Sequence, residues 1–174
     1  MIHGIIVFGA NGGGKTTLGR ELARILNFKH MDHEDYCFEK SEIPYTVTRP
    51  REAYEALMFA DIEKYGSFVI SACTGNFGEK IESLYELAVY ISAPLELRIE
   101  RVKQRNIERF GERVLKGGDM YEQQSDFVDF VANRSLSKIE KWAETLSCPI
   151  IRIDGTADWR FNAANIAEIW RNTE

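Results

Sequence analysis

The segment Gly9–Thr17, with the sequence G-A-N-G-G-G-K-T-T, constrains the fold of this chain more than any other feature. It satisfies the pattern G-x-x-x-x-G-K-[ST], and it lies between an apolar run, Ile2–Phe8, and a helical pattern that begins at Lys15. A glycine-rich turn in this context points successive backbone N–H groups at phosphate oxygens, at the positive end of the following helix. The sequence therefore predicts a phosphate-binding loop, or P-loop, between a strand and a helix.

The P-loop predicts a nucleotide and a metal ion together. Lys15 is expected to reach the β- and γ-phosphates, and the Thr16 hydroxyl is expected to ligate Mg²⁺. We expect ATP, or another nucleoside triphosphate, to be bound by Gly9, Ala10, Asn11, Gly12, Gly13, Gly14, Lys15, Thr16 and Thr17. The alternative is a glycine-rich turn without a ligand, and a chance match of this kind arises on the order of once in a few hundred chains.

Length and charge exclude several classes of protein. The 174 residues fit one domain, 1–174, and the formal net charge of −5 argues against non-specific attraction to nucleic acid or an anionic membrane. The cysteines Cys37, Cys73 and Cys148 form no C-x-x-C pair, which favours a reducing compartment. Without a signal sequence or a long apolar run, we expect a soluble, cytoplasmic protein.

Strand-like and helix-like patterns alternate along the chain. Short apolar runs predict strands at Ile2–Phe8, Phe28–Met31, Ser67–Ser71, Leu87–Ile91 and Ile150–Ile153. Helical spacing predicts helices at about 15–27, 50–65, 94–109, 120–146 (as one piece or two) and 163–170. Alternation of this kind implies parallel pairing, and therefore an α/β three-layer sandwich with helices on both faces of the sheet.

An acidic cluster, Asp32, Glu34 and Asp35, follows the second predicted strand. Because the carboxyl ends of parallel strands meet at the ligand crevice, these carboxylates are expected to face the phosphates. One of them could hold Mg²⁺ through water or accept a proton from an attacking hydroxyl. The alternative is a solvated acidic turn. His30 and His33 are interpreted as surface residues rather than a metal pair, because no third ligand is suggested nearby.

Positive charge recurs at helical spacing after the fourth predicted strand. The arginines are Arg98, Arg101, Arg105, Arg109 and Arg113, interleaved with Glu96, Glu100, Glu108 and Glu112. One interpretation is an ion-paired solvent face. The other is a lid that closes over the triphosphate and places an arginine on the transferring group, for which Arg101 and Arg105 are our candidates.

Taken together, the P-loop, the five predicted strands, the arginine-rich helix and the D-G-T at Asp154–Thr156 resemble the nucleoside-monophosphate-kinase-like group of P-loop proteins, which includes adenylate and shikimate kinases. The resemblance implies a P-loop NTPase fold with a five-stranded parallel sheet in the order 2-3-1-4-5. It also implies a lid between the fourth and fifth strands, at about residues 101–134.

The resemblance also assigns roles to single residues. Asp32-x-Glu34 resembles the acidic D-x-D pair of shikimate-type kinases, which implies that Asp32 lies on the Mg²⁺ side and Glu34 on the acceptor side. Arg49-x-x-Glu52 resembles the R-x-x-E at the start of their acceptor-binding helix, and Arg134 lies where they keep a further arginine. Glu34, Arg49 and Arg134 are therefore the implied substrate-binding residues.

The segment Ser71–Asn76 departs from both kinase patterns. It lacks the D-G-[FY]-P-R of adenylate kinases, which argues against a nucleotide acceptor, and the triple glycine of shikimate kinases, which argues against shikimate. Ser71 also stands where a Walker-B-like aspartate would lie, so Asp32 is left as the metal-side carboxylate.

Three functions remain open on the sequence. The first is an ATP- and Mg²⁺-dependent phosphotransferase that moves the γ-phosphoryl group to a small hydroxyl- or phosphate-bearing acceptor. Its catalytic residues would be Lys15, Asp32, Arg101 and Arg105, and its metal ligands Thr16 and Asp32. The second is a nucleotide-binding switch or slow ATPase that acts through a protein partner. The third is a nucleic-acid end kinase, which the acidic charge disfavours.

Overall fold

A single sheet of five parallel strands forms the centre of the computed structural model, which describes residues 2–172. The strands are β1 (Gly4–Phe8), β2 (Lys29–Asp32), β3 (Phe68–Ala72), β4 (Tyr85–Ser92) and β5 (Ile150–Asp154). They pair in the order β2-β3-β1-β4-β5. The parallel sheet and its strand order confirm the fold that the sequence and the resemblance predicted.

At least one helix follows each strand in the chain. The helices are α1 (Lys15–Leu26), α2 (His33–Cys37), α3 (Arg51–Tyr65), α4 (Glu79–Glu82), α5 (Leu95–Phe110), a 3₁₀ helix (Gly111–Val114), α6 (Tyr121–Asn133), α7 (Ser137–Ala143) and α8 (Trp159–Arg171). Within residues 2–172, no helix combines the length and the apolar character needed to cross a membrane.

The central strand β1 is buried on both faces of the sheet. Ile6 and Phe8 belong to one apolar cluster and Ile5 and Val7 to the other, because successive side chains of a strand point to opposite faces. The first cluster includes residues of α3 and α7, and the second includes residues of α1 and α8. The helices thus form the two outer layers of a three-layer sandwich.

Helix ends differ from the sequence prediction where a capping side chain decides them. The acidic cluster forms the short helix α2 rather than a turn, because the Asp32 carboxylate caps its first turn by accepting from Glu34 N. Helix α8 begins at Trp159, before the predicted Ala163, because the Asp158 carboxylate accepts from two backbone N–H groups of its first turn. The predicted helix at 120–146 is divided into α6 and α7.

Close packing of α1 on β3 places the P-loop at the carboxyl end of the sheet. A Cβ atom at Gly19 would lie 2.2 Å from the Ser71 hydroxyl oxygen, so only glycine allows this approach. The first turn of α1 therefore lies above the point where β1 and β3 end.

Candidate functional site

The P-loop adopts a backbone that only glycine tolerates at several positions. Gly9, Gly12 and Gly14 have φ values of 149°, 76° and 100°. A Cβ atom at Gly9 would lie 2.2 Å from the carbonyl oxygen of Ile91, and one at Gly12 would lie 2.3 Å from that of Arg98. The loop is therefore held tightly against the end of β4 and the first turn of α5.

The amino end of α1 is open to an anion. Its cap residue, Gly14, provides no side-chain hydrogen bond, and its first turn contains no acidic residue. The N–H groups of that turn and the positive end of the helix dipole are thus available to phosphate oxygens. Lys15 folds across the loop and donates from Nζ to the carbonyl oxygen of Ala10 at 2.9 Å, which holds its charge beside the open turn.

Thr16 and Asp32 form the candidate metal site. The Thr16 hydroxyl donates to Asp32 Oδ2 at 2.8 Å, and Asp32 Oδ1 accepts from Glu34 N at 3.2 Å. One hydroxyl and one oriented carboxylate beside a phosphate site fit Mg²⁺, which binds few protein oxygens and takes the others from phosphates and water. Residues 2–172 contain no group of three or more His, Cys, Asp or Glu side chains that could hold a metal ion.

Ser71 of β3 holds the first turn of α1, directly after the P-loop glycines. Its side chain is buried, and its hydroxyl donates to the carbonyl oxygen of Lys15 at 3.1 Å and lies 3.0 Å from His30 Nε2. Where a Walker-B-like aspartate was absent from the sequence, a hydroxyl therefore positions the first turn of α1. His30 is held in this contact, so its interpretation as a surface residue is wrong.

His33 is also packed against aromatic rings. Its ring lies 5.2 Å from the Tyr54 ring and 4.9 Å from the Phe77 ring, and its Nε2 is buried without a hydrogen-bond partner. Burial lowers the pKa of both His30 and His33, with Asp32 acting in the opposite direction. Both imidazoles are therefore kept neutral near pH 7, and the surface interpretation of His33 is wrong too.

The arginines of the predicted stripe have different environments. Arg98 is only 6% exposed, and it donates to the carbonyl oxygens of Ala93 at 3.2 Å and Asn11 at 3.4 Å. It therefore ties α5 to the P-loop. Arg101 donates to the carbonyl oxygen of Gly155 at 2.8 Å, next to Gly14, while the buried Nε of Arg105 has no partner.

Arg109 and Arg113 contact the segment between α2 and α3. Arg109 donates to the Tyr45 hydroxyl at 2.9 Å, and Arg113 pairs with Asp119 and donates to the carbonyl oxygen of Glu42. Within residues 2–172, no arginine of the stripe forms a salt bridge with the interleaved glutamates. The stripe therefore does not pair with its interleaved glutamates, and among residues 2–172 only Arg113 of the stripe forms an ion pair, with Asp119.

A cleft of about 480 Å³ brings the P-loop and the arginines together. Its walls come from the P-loop, α1, α5 and the segment that leads into α8. The residues are Gly12, Gly14, Lys15, Thr16, Thr17, Arg20, Ile91, Arg101, Val102, Arg105, Glu108, Arg109, Gly155, Ala157, Trp159 and Asn162. One lysine and four arginines against a single glutamate make the cleft strongly positive, which suits a polyphosphate.

Two groups of cleft residues were not predicted from the sequence. Arg20 had a signal, because it lies four residues after Thr16 on α1 and so shares its helix face. Trp159 and Asn162 had none, since only the packing of α8 against α1 brings them to the cleft.

Arg49 is used within the protein in a way that the sequence did not suggest. Its Nη1 donates to the carbonyl oxygens of Tyr36 at 2.7 Å and Phe38 at 2.6 Å. These bonds bind the end of α2 to the chain that precedes α3. The substrate-binding role of Arg49 stays a prediction. Such a role would use the guanidinium nitrogens other than Nη1.

Arg134 and Glu34 are the other two residues that the resemblance assigned to substrate binding. Arg134 donates from Nη1 to Asn11 Oδ1 at 2.9 Å and to Cys73 Sγ at 3.5 Å, so it joins the end of α6 to the P-loop. Glu34 lies in the first turn of α2, directly after Asp32 and His33. Their roles in binding an acceptor remain predictions.

Comparison with known proteins gives concordant results. The AAA domain family matches residues 5–126. The "Uncharacterized protein YqaC" of Bacillus subtilis is 30% identical over 164 residues, which cover 88% of this chain and 89% of that protein. Shikimate kinase of Brucella canis is 28% identical over 113 residues, 58% of this chain and 56% of that enzyme. The structure of shikimate kinase from Acinetobacter baumannii in complex with shikimate aligns with a TM-score of 0.57 at 20% identity, covering 100% and 96% of the two chains.

Proposed function

From the premise that this chain belongs to the AAA domain family, within the adenylate- and shikimate-kinase-like group, we propose that it is a small-molecule kinase. The reaction is the ATP- and Mg²⁺-dependent transfer of the γ-phosphoryl group to a small hydroxyl- or phosphate-bearing acceptor. The chain works as a single domain, 1–174, with a lid segment at residues 101–134. Its place of action is the cytoplasm, where ATP is abundant.

The observation that carries this proposal is the position of the Thr16–Asp32 pair. The hydroxyl and the carboxylate lie 2.8 Å apart beside the open end of α1, and Thr16 lines the same cleft as Arg101 and Arg105. A site that only bound a nucleotide would need nothing beyond the phosphate contacts of the loop. Arginines facing the phosphates across from a metal-side carboxylate are what phosphoryl transfer requires, because negative charge moves between donor and acceptor in the transition state.

Each residue then has a defined part in the reaction. The P-loop N–H groups and Lys15 hold the β- and γ-phosphates, and Lys15 exchanges its bond with Ala10 for the phosphate oxygens. Thr16 and Asp32 would hold Mg²⁺, which supplies charge neutralisation at the phosphates. Arg101 and Arg105 stabilise the transferring group from the side of α5.

The acceptor enters from the side of α2. Its oxygen forms a bond to the γ-phosphorus as the bond from that phosphorus to the β–γ bridging oxygen breaks, and ADP leaves. The proton of an acceptor hydroxyl passes to a carboxylate of the acidic cluster, for which Asp32 and Glu34 are the candidates. Glu34, Arg49 and Arg134 are the proposed acceptor contacts.

An acceptor screen tests the proposal. Purified protein is assayed for ADP release with Mg²⁺ and ATP across nucleoside monophosphates, nucleosides, sugars and polyol acids, with the phosphorylated product identified by mass spectrometry. Lys15→Met serves as the inactive control. Acceptor-dependent ADP release with a phosphorylated product supports a kinase. ADP release that no acceptor stimulates, or none at all, contradicts it and favours the nucleotide switch, and phosphorylated oligonucleotide ends would favour the end kinase.

A further inference from the structure

The loop at residues 39–48, which follows α2, has a defined internal structure. Phe38 and Thr48 form an antiparallel bridge at its base, and Glu39 N donates to the carbonyl oxygen of Val47 at 2.8 Å. At its tip, the hydroxyls of Ser41 and Thr46 both donate to the carbonyl oxygen of Ile43 at 2.6 Å. The 39–48 loop is therefore held in shape by its own hydrogen bonds, and it follows α2, where we propose that the acceptor binds.

The tip of this loop contacts three parts of the lid segment. Tyr45 accepts a hydrogen bond from Arg109 of α5 at 2.9 Å. The carbonyl oxygen of Glu42 accepts from Arg113 of the 3₁₀ helix, and that of Pro44 accepts from Gln123 of α6, both at 3.1 Å. The 39–48 loop and the lid segment are thus joined at the outer end of the cleft.

Tyr45 is the residue on which these contacts centre. Its φ of 65° places a non-glycine residue in the left-handed region, and its ring packs edge-on against Phe38 at 5.4 Å and Phe110 at 6.4 Å. A backbone strained in this way persists only where the surroundings hold it. The residues that hold it are Phe38, directly after α2, and Arg109 and Phe110 at the end of α5.

The hydroxyl of Tyr45 is hydrogen-bonded to one charged group of the cleft, Arg109. It accepts from Arg109, which lines the positive cleft, and no described residue accepts the hydrogen of the phenol. Burial raises the pKa of this phenol, while the Arg109 guanidinium acts against that and the Glu34 carboxylate acts with it. The group therefore stays a protonated hydrogen-bond donor at neutral pH.

We propose that Tyr45 is a positioning residue that couples the acceptor side of the site to the lid segment by holding Arg109 at the phosphate cleft. An acceptor that orders the 39–48 loop thereby favours the closed lid, and a closed lid favours the loop, because coupling between two sites is reciprocal. The consequence is that phosphoryl transfer is promoted when both substrates are present. This inference rests on the proposed kinase function for its consequence but not for its structural test.

The structural test is protection of the lid segment from trypsin. Lys116 is exposed in the turn between the 3₁₀ helix and α6, so cleavage after Lys116 reports on opening of this segment. With saturating ADP, Tyr45→Phe and Arg109→Met should each raise the rate of this cleavage about fivefold, and the double variant should exceed neither single variant. Tyr65→Phe, an exposed tyrosine at the end of α3, is the matched control and should cleave at the wild-type rate.

The kinetic test separates positioning from folding. Tyr45→Phe should lower kcat about tenfold and raise the acceptor KM while leaving the ATP Kd within about twofold, since the P-loop is untouched. Tyr45→Asn, which tolerates the left-handed backbone but lacks the ring, should lower kcat further, measured well below its melting temperature so that lost packing on Phe38 and Phe110 does not account for the change. Loss of ATP binding alone would indicate a structural role and overturn the proposal.

The two proposals fail in distinguishable ways. If Tyr45→Phe increases cleavage in a protein that phosphorylates no acceptor, the coupling stands and the kinase function is wrong. If Tyr45→Phe cleaves and transfers phosphate as the wild type does, the coupling is wrong and the kinase function stands. Multiplying effects of Tyr45→Phe and Arg109→Met in the double variant would likewise contradict the coupling.

Discussion

The Thr16 hydroxyl donates a 2.8 Å hydrogen bond to Oδ2 of Asp32, which joins the P-loop helix to the end of the neighbouring strand β2. Sixteen residues separate the two in the chain, and the parallel pairing of β2 with β3, and of β3 with β1, brings them together. Both oxygens therefore lie together at the point where we propose that Mg²⁺ binds. Asp32 is also the N-cap of α2, so the same carboxylate holds the start of that helix.

Asp32→Asn is expected to lower kcat at least about tenfold, because an amide neither attracts Mg²⁺ nor accepts a proton as a carboxylate does. Binding of ATP without Mg²⁺ should change little, since asparagine can still cap α2. Titration of kcat against Mg²⁺ in both proteins provides the measurement. The neighbouring Asp35→Asn is the control, and an equal loss of kcat in the two variants would show that the cluster acts only through its total charge.

Lys15→Met is expected to abolish phosphoryl transfer and weaken ATP binding strongly while the fold remains intact. Among residues 2–172, the one hydrogen-bond partner of Lys15 Nζ is a carbonyl oxygen of its own loop, Ala10 O, so its charge is available to phosphates. Trp159 lines the same cleft, and its fluorescence offers a direct titration of nucleotide binding. Lys141→Met, at an exposed position of α7, should behave as the wild type. Unchanged ATP affinity in a folded Lys15→Met protein would rule out the P-loop assignment.

Arg101→Ala and Arg105→Ala should reduce kcat more than ATP affinity. Both guanidinium groups face the cleft, and they matter most as charge shifts from donor to acceptor. Lys103→Ala, at an exposed position of α5, is the control for loss of positive charge from the lid segment. Losses in kcat below about threefold, equivalent to under ~1 kcal/mol, for both cleft arginines would favour the switch over the kinase.

Arg98→Met should destabilise the protein and disturb the P-loop. The methionine fills the buried space but leaves the carbonyl oxygens of Ala93 and Asn11 without their donor, at a cost of about 1–3 kcal/mol. Chemical denaturation measures the free energy of unfolding, and calorimetry measures the ATP affinity, which we expect to fall as well. Arg24→Met, with a side chain 70% exposed, should leave both quantities near the wild-type values.

Acidification below neutral pH is expected to destabilise the fold through His33. Burial lowers the pKa of His33 in the folded protein below the ordinary 6.5. Between the folded-state pKa and 6.5, the unfolded chain therefore binds more protons than the folded one. Stability contributed by neutral His33 is therefore present above about pH 6.5 and declines as the pH falls toward the folded-state pKa.

The comparison variant for this pH dependence is His33→Phe, which keeps the ring packing on Tyr54 and Phe77 and removes the unpartnered Nε2. The free energy of unfolding of this variant should depend less on pH than that of the wild type between about pH 7.5 and 5.5. Parallel curves for the two proteins would mean that His33 does not titrate in this range.

Two residues that the sequence did not reveal, one lining the cleft and one bonded to a cleft arginine, share a physical origin. Trp159 and Tyr45 carry no motif, and each reaches the site through a contact between distant segments: α8 on α1 for Trp159, and the 39–48 loop on the lid segment for Tyr45. The stripe from Arg98 to Arg113 shows the same limit. Its spacing predicted one shared face, yet four of these arginines have different partners, set by what packs against each turn, and the buried Nε of Arg105 has none.

Local chemistry determined the fold class and the centre of the site. Glycines that allow positive φ, a lysine and a threonine at fixed spacing, and strands that alternate with helices all act within a few residues, so the P-loop and the parallel sheet could be predicted from the sequence. The sequence and the resemblance also placed Thr16 and Asp32 at one site, but tertiary structure alone decided that Arg49 holds α2 and that Tyr45 holds Arg109. Those partners are far apart in the chain, and only the packing of the folded layers specifies which distant groups come within hydrogen-bonding distance.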